Sequence, residues 1–328
     1  MISVDHLTKQ YGQFTAVRDL SFTIEDGHVY GFLGPNGAGK STTMNIITGC
    51  LSPTAGSITI DGHDMLTEPL TAKQLIGYLP ELPPLYMNET PREYLTFVGE
   101  AKGLKAGQLR EQVEDVIQKT RIESVQDQLI SKLSKGYRQR VGIAQALLGN
   151  PKVIILDEPT VGLDPLQIIE IRDLIRRLGQ EHTVIFSSHI LSEVQAICDK
   201  VLIISHGELV AFDDTQNLEN KGAVANRIFF TTTATQQEAE EILSDVSGVK
   251  SWECSASGDK TSVEAELEEG SEEAELSNKL FFAFAQKERA IFDLTTKKAD
   301  LEDVFLKLTE NVAVPSADKE EAEEVTEE

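Results

Sequence analysis

Between residues 28 and 204 the chain alternates short unbroken apolar runs with longer stretches where apolar residues recur every three or four positions. His28–Leu33, Val153–Leu156, Thr183–Phe186 and Val201–Ile204 are runs of the first kind, as expected of strands covered on both faces of a parallel sheet. Leu166–Leu178 is of the second kind: Ile168, Ile171, Leu174, Ile175 and Leu178 fall on one side of a helix. Alternating strands and helices predict an α/β domain over residues 1–215 with a largely parallel sheet.

From Asn226 the pattern changes. Strand Arg227–Thr233, helix Thr235–Val246, strands Val249–Cys254 and Thr261–Glu268, helix Ser271–Glu288 and strand Ala290–Thr295 are expected in turn. This β-α-β-β-α-β order is ferredoxin-like and predicts a small α+β accessory domain over residues 224–310. A closing helix is expected to carry Leu301, Val304, Phe305 and Leu308 as one apolar stripe. These stripes read as core-facing, and a fold of this kind implies no function by itself.

Charge divides the chain at about the same place. The 328 residues carry 30 Lys and Arg against 54 Asp and Glu, a net charge of −24. Residues up to Asp213 account for −7 and the remainder for −17. The last stretch, residues 315–328, has almost nothing to bury and many like charges, and reads as a disordered acidic tail. A solubilising terminus is the preferred reading of it, ahead of a lure for a basic partner. This acidity argues against nucleic acid as a partner, because phosphate backbones are bound by clustered Lys and Arg. No apolar run approaches the ~18 residues of a membrane span, and the first residues lack the pattern of a secretory signal. Cys50, Cys198 and Cys254, odd in number and far apart, read as reduced thiols of a cytoplasmic protein.

Against that background two segments carry chemistry. Gly34-Pro35-Asn36-Gly37-Ala38-Gly39-Lys40-Ser41 fits the P-loop pattern GxxxxGK[ST], and it lies between a predicted strand and a predicted helix, as the motif requires. Its glycines allow backbone N–H groups to converge on phosphate oxygens. Lys40 would reach the β- and γ-phosphates of a bound nucleotide, Ser41 would place its hydroxyl on Mg²⁺, and Thr42 would bond a phosphate nearby. The second segment, Val153-Ile154-Ile155-Leu156-Asp157-Glu158, is a buried strand ending in two carboxylates at the edge where α/β sheets hold ligands. Asp157 would hold Mg²⁺ directly or through water, and Glu158 would orient or deprotonate the attacking water.

Further motifs stand in a fixed order around these two: Tyr11-Gly12, Ile76-Gly77-Tyr78-Leu79-Pro80-Glu81, Leu133-Ser134-Lys135-Gly136-Tyr137, Gly162-Leu163-Asp164-Pro165 and Ser187-Ser188-His189. Together they resemble an ATP-binding cassette (ABC) ATPase over residues 2 to about 215. The resemblance implies a P-loop NTPase fold with a mixed, largely parallel sheet, an antiparallel sheet and a helical subdomain at about 88–150. It implies that Tyr11 stacks on adenine, that Ser134 and Gly136 contact the γ-phosphate bound by a second copy, that Asp164 communicates across the dimer, and that His189 bonds the γ-phosphate. Lys135 and Tyr137 depart from the family's LSGGQ signature. Glu81 stands where the family usually has Gln, and is expected to keep a role on Mg²⁺ and in catalysis.

The segment Leu133 to Arg140, Thr160-Val161-Gly162-Leu163-Asp164-Pro165 and the closing Leu301 to Leu308 resemble the ATPase subunit of bacterial exporters of the gliding-motility and sodium-exporter type. That resemblance implies a peripheral protein on the cytoplasmic face of the membrane, dimerising on ATP to drive a separate integral-membrane permease. Leu82-Pro83-Pro84-Leu85-Tyr86-Met87 would be either the permease docking site or a Pro-stiffened turn. Two alternatives remain on sequence grounds: a soluble ABC ATPase outside transport, as in iron–sulfur assembly, and a non-catalytic ATP-dependent switch.

Overall fold

The computed structural model describes residues 1–215, 217, 218, 227–258, 260–268, 273–297 and 305. The expected acidic tail and the stripe positions Leu301, Val304 and Leu308 lie outside the described residues. The chain divides into two compact units, one built from Met1–Thr215 and one within Gln216–Leu308.

The first unit is organised around a six-stranded sheet. Its strands are β3 (Val29–Leu33), β6 (Ile76–Leu79), β7 (Val153–Leu156), β8 (Thr183–Ser188), β9 (Lys200–Ser205) and β10 (Glu208–Asp214), in the order β10-β9-β3-β8-β7-β6. All neighbours are parallel except β10 and β9. Every residue of β3, β7 and β8 is buried, which explains why these strands read as continuous apolar runs with no alternation. A second, antiparallel sheet is formed by β1 (Ile2–Tyr11), β2 (Phe14–Ile24), β4 (Ala55–Ile60) and β5 (His63–Asp64), in the order β2-β1-β4-β5. Ile2, Leu7, Val17 and Leu20 of this sheet share one core with Tyr30, Phe32, Ile155 and Ile204 of the other and with Met44 and Ile47 of helix α1 (Lys40–Ile47).

A helical excursion separates β6 from β7. Helices Pro91–Ala101, Ala106–Thr120 and Lys135–Leu147 (α3, α4 and α5, counting Pro69–Gln74 as α2) occupy it. Thr90 opens α3 with a reciprocal capping box to Glu93, and Pro91 follows at the first helical position. Both ends of the excursion return to adjacent strands, with Ile76 opposite Val153 and Leu79 opposite Leu156. Helix α6 (Pro165–Leu178), capped by the Asp164 carboxylate, buries Ile171, Leu174, Ile175 and Leu178; Ile168, expected on the same stripe, is half-buried. Helix α7 is Leu191–Ile197.

The second unit has strands β11 (Arg227–Thr232), β12 (Val249–Ser257), β13 (Lys260–Leu267) and β14 (Ile291–Lys297) and helices α8 (Gln236–Ser244) and α9 (Glu273–Gln286). The sheet order β12-β13-β11-β14, antiparallel throughout, is the ferredoxin-like arrangement. Alternate residues of β11 and β13 point into a core with Ile242, Leu243, Leu280 and Phe284 from the helices. Phe230 and Phe284 meet edge to face with ring centroids 5.1 Å apart. Among the described residues no helix is long and apolar enough to cross a membrane.

Candidate active site at the carboxyl edge of the main sheet

The order β3-β8-β7-β6 sets four chain segments side by side at the carboxyl ends of their strands. Strand β3 leads into the loop 34–39 and α1, β8 into His189, β7 into Asp157 and Glu158, and β6 into Glu81. They border a cavity of about 460 Å³ whose wall includes Tyr11, Asn36, Gly37, Ala38, Gly39, Lys40, Ser41, Thr42, Glu81, Glu158 and His189. Of the sequence-expected residues, Gly34, Pro35, Asp157, Ser134, Gly136 and Asp164 are outside this lining; Gly34 and Asp157 are buried and Pro35 is exposed.

The loop can take its path only with glycine at key points. Gly39 has φ 100°, and a Cβ there would stand 2.5 Å from the Ala16 carbonyl oxygen. At Gly34 a Cβ would stand 2.4 Å from the Ile204 carbonyl oxygen. Lys40 is buried and its Nζ donates to the carbonyls of Gly34 (2.7 Å) and Pro35 (3.2 Å). Burial pushes its ammonium below the ordinary value, opposed by the negative charges of Glu158 and Asp157. The first N–H groups of α1 have no partner within the helix, and its first turn reads Lys-Ser-Thr-Thr with no carboxylate. Its positive end is therefore left for an anion.

Asp157 is 3% exposed and accepts a hydrogen bond from Ser187 Oγ at 2.6 Å. The same Ser187 oxygen accepts the N–H of Glu158 at 2.8 Å. Glu158 adopts φ 47°, a left-handed backbone that costs a non-glycine residue about 1–3 kcal/mol and that surrounding contacts must hold in place. The turn separates the two carboxylates: Asp157 stays within the sheet edge while Glu158 faces the cavity, its Oε2 2.9 Å from His189 Nδ1. Tyr11 and Phe14 are paired residues closing the hairpin between β1 and β2, both exposed and both part of the cavity wall.

The donors that could meet a cation are oxygens: the Ser41 hydroxyl and Glu81 carboxylate in the wall and the buried Asp157 carboxylate outside it. Such a set suits a hard ion such as Mg²⁺. Among the described residues no group of three His, Cys, Asp or Glu side chains forms a cage.

The signature segment is built elsewhere. Ser134 caps α5, its hydroxyl accepting the Tyr137 N–H at 3.3 Å. Gly136 faces Gln167 of α6 so closely that a Cβ would stand 2.7 Å from Gln167 Cδ. Asp164 accepts the Gln167 N–H at 2.9 Å, and Lys135 Nζ lies over Gly162. Gln167 thus joins the start of α5 to the Asp164 loop, and none of Ser134, Gly136 and Asp164 lines the cavity beside the loop 34–39. Sequence reasoning missed Phe14, Ala16 and Val161 in the cavity wall, and Ser187 between the two carboxylates. The one signal for Ser187 was its place in Ser187-Ser188-His189.

Comparison with known proteins agrees with this geometry. The ABC transporter family model matches residues 17–161. The chain is 42% identical over 197 residues to the ABC transporter ATP-binding protein NatA of Bacillus subtilis, spanning 60% of this chain and 80% of that one. It is 33% identical over 318 residues to the Nod factor export ATP-binding protein I of Paraburkholderia xenovorans, spanning 94% and 96%. Among solved structures it resembles the dimeric bacterial ABC transporter cassette MJ0796, with 26% identity and a TM-score of 0.59 over 65% of this chain and 98% of that one. With relatives at 42% and 33% identity matched over 80% and 96% of their length, the chain belongs to the ABC transporter family as an ATP-binding, ATP-hydrolysing subunit.

Proposed function

We propose that two copies of this chain sandwich two ATP molecules, each with Mg²⁺, and that closing and reopening drive export through a separate integral-membrane permease at the cytoplasmic face of the membrane. The observation that carries this reading is the division of the site within one chain: the cradle 34–42 and Glu158–His189 form one cavity, while Ser134, Gly136 and Asp164 are outside its lining. A second copy would bring the missing half. The dimeric state of the MJ0796 cassette supports this, as do Leu166 and Ile169, exposed on α6 beside Asp164. A relative named for Nod factor export supports the export direction.

In the reaction, water attacks the γ-phosphorus, the bond to the β-bridging oxygen breaks, and ADP and phosphate leave. Glu158 accepts the proton of the water, and His189, within hydrogen-bond reach of Glu158, holds the γ-phosphate side. Lys40 exchanges its loop carbonyls for phosphate oxygens and neutralises their charge. Mg²⁺, when bound through Ser41, Glu81 and Asp157, supplies further charge neutralisation. The permease would dock where Leu82, Tyr86, Met87 and Phe97 are exposed, the two rings of Tyr86 and Phe97 lying 5.3 Å apart.

Glu158→Gln tests the site. The variant keeps the shape of the side chain but not its basicity, so ATP binding persists while turnover falls ~10²–10⁴-fold, and closed dimer accumulates in size-exclusion runs with ATP. Near-normal hydrolysis would remove Glu158 from this role, and a non-catalytic switch predicts no difference between the two proteins.

A further inference from the structure

One buried carboxylate takes no part in the chemistry above. Glu193, in the first turn of α7, is 1% exposed. Its Oε2 accepts hydrogen bonds from Thr160 Oγ1 at 2.7 Å and Ser188 Oγ at 2.9 Å. Its Oε1 lies 3.5 Å from Arg172 Nη2 of α6, outside hydrogen-bond geometry. Oε1 and Arg172 Nε are among the few buried side-chain polar atoms of the described residues that have no hydrogen-bond partner. The other buried residues of α7 are Val194 and Ile197, so an apolar side chain would satisfy packing. A buried, incompletely paired carboxylate is unfavourable for stability alone.

The positions of its two donors give it a use. Thr160 lies two residues after Glu158, and Ser188 immediately precedes His189. One carboxylate therefore holds the residues flanking both halves of the Glu158–His189 contact, and it does so beside a strained Glu158 backbone that needs such anchoring. We propose that Glu193 is a positioning residue for hydrolysis: by tying Thr160 to Ser188 it fixes Glu158 against His189, and through Arg172 it links that pair to the helix that Asp164 caps. This rests on the reading of Glu158 and His189 given above.

The test is steady-state ATPase of the full chain, with kcat and KM for ATP separated. Glu193→Gln, nearly isosteric, puts an amide donor where two hydroxyls or a guanidinium must be met; kcat should fall about 10- to 100-fold with KM for ATP within about twofold. Thr160→Val and Ser188→Ala each delete one donor and should each lower kcat by a smaller factor. In a Glu158→Gln background Glu193→Gln should add little, because the group it positions is already inactive. A kcat for Glu193→Gln near that of the unaltered protein, beside an inactive Glu158→Gln, would overturn this inference alone. So would a loss that multiplies in full in the Glu158→Gln background, or a fall in ATP affinity that matches the fall in kcat. Should Glu193→Gln fail to fold, unchanged kcat in both Thr160→Val and Ser188→Ala overturns the inference by itself. Normal turnover by Glu158→Gln would remove the site reading and this inference together.

Discussion

In the first unit Lys40, Asp157, His182 and Glu193 are all buried, whereas the buried polar side chains among the described residues of the second unit are Thr232 and Thr261. The second unit keeps its ionised groups in surface pairs, such as Arg227 with Glu264, Lys250 with Glu266 and Arg289 with Glu238. Exposed pairs of this kind contribute little to stability, and the second unit is held by its apolar core. Withdrawing charge from water costs stability and is retained where a reaction or its geometry uses it. Among the described residues, the buried Lys, Asp, Glu and His side chains all lie in the first unit.

The largest effect expected from that contrast is in the second unit. Phe284→Ala removes a fully buried ring that meets Phe230 edge to face and should cost about 3–5 kcal/mol of that unit's stability. Calorimetry should show an early transition while ATP turnover at low temperature stays within about twofold. A parallel collapse of turnover would break the separation. Next in size is Lys40→Ala, which removes the charge proposed to meet the phosphates; turnover should drop ~10²–10³-fold with the thermal transition of the second unit unmoved. Retained turnover would show that the cradle's backbone suffices.

The smallest effect is on acid stability. In the second unit the Thr235 N–H, and after it Arg289, hold the Glu238 carboxyl below its usual 4.5, and Lys250 and Ser251 do the same for Glu266. The unfolded chain therefore takes up these protons at higher pH than the folded one. Stability from both groups is full above about pH 4.5 and is lost as pH falls through their lower folded values. The second unit should melt at lower temperature at pH 3.5 than at pH 7, and equal melting would show that its surface pairs contribute nothing.

What could be read from the chain was what is contiguous. The loop from Gly34 to Ser41 is one uninterrupted segment whose job is set by its own backbone, and Asp157-Glu158 ends a strand that announces itself as four apolar residues. The order β-α-β-β-α-β was legible because each of its elements shows its own period, although β12 runs three residues past the expected Cys254. Ser187 and Glu193 were not legible, because their roles depend on pairing across the sheet. Only the register that sets Leu156 opposite Phe186 brings Ser187 between Asp157 and Glu158. Only the packing of α7 beside the turn after Glu158 brings Glu193 to Thr160. Phe14 was missed for a different reason: an exposed aromatic at a hairpin end is ordinary until the cavity beside it is seen.

The place of β3 in the sheet also has a consequence for biogenesis. Its residues pair on one side with β8 and on the other with β9, so Val29 meets Val184 and Gly31 meets Val201. Closing such long loops is entropically expensive and slow. On a ribosome adding about 5–20 residues per second, the strand that feeds the nucleotide loop waits roughly ten to thirty seconds for its neighbours to be made. Until then the strand Val29–Leu33 lacks the partners of both its edges. The segment that leads into the loop 34–39 is thus made well before the strands that pair with both its edges.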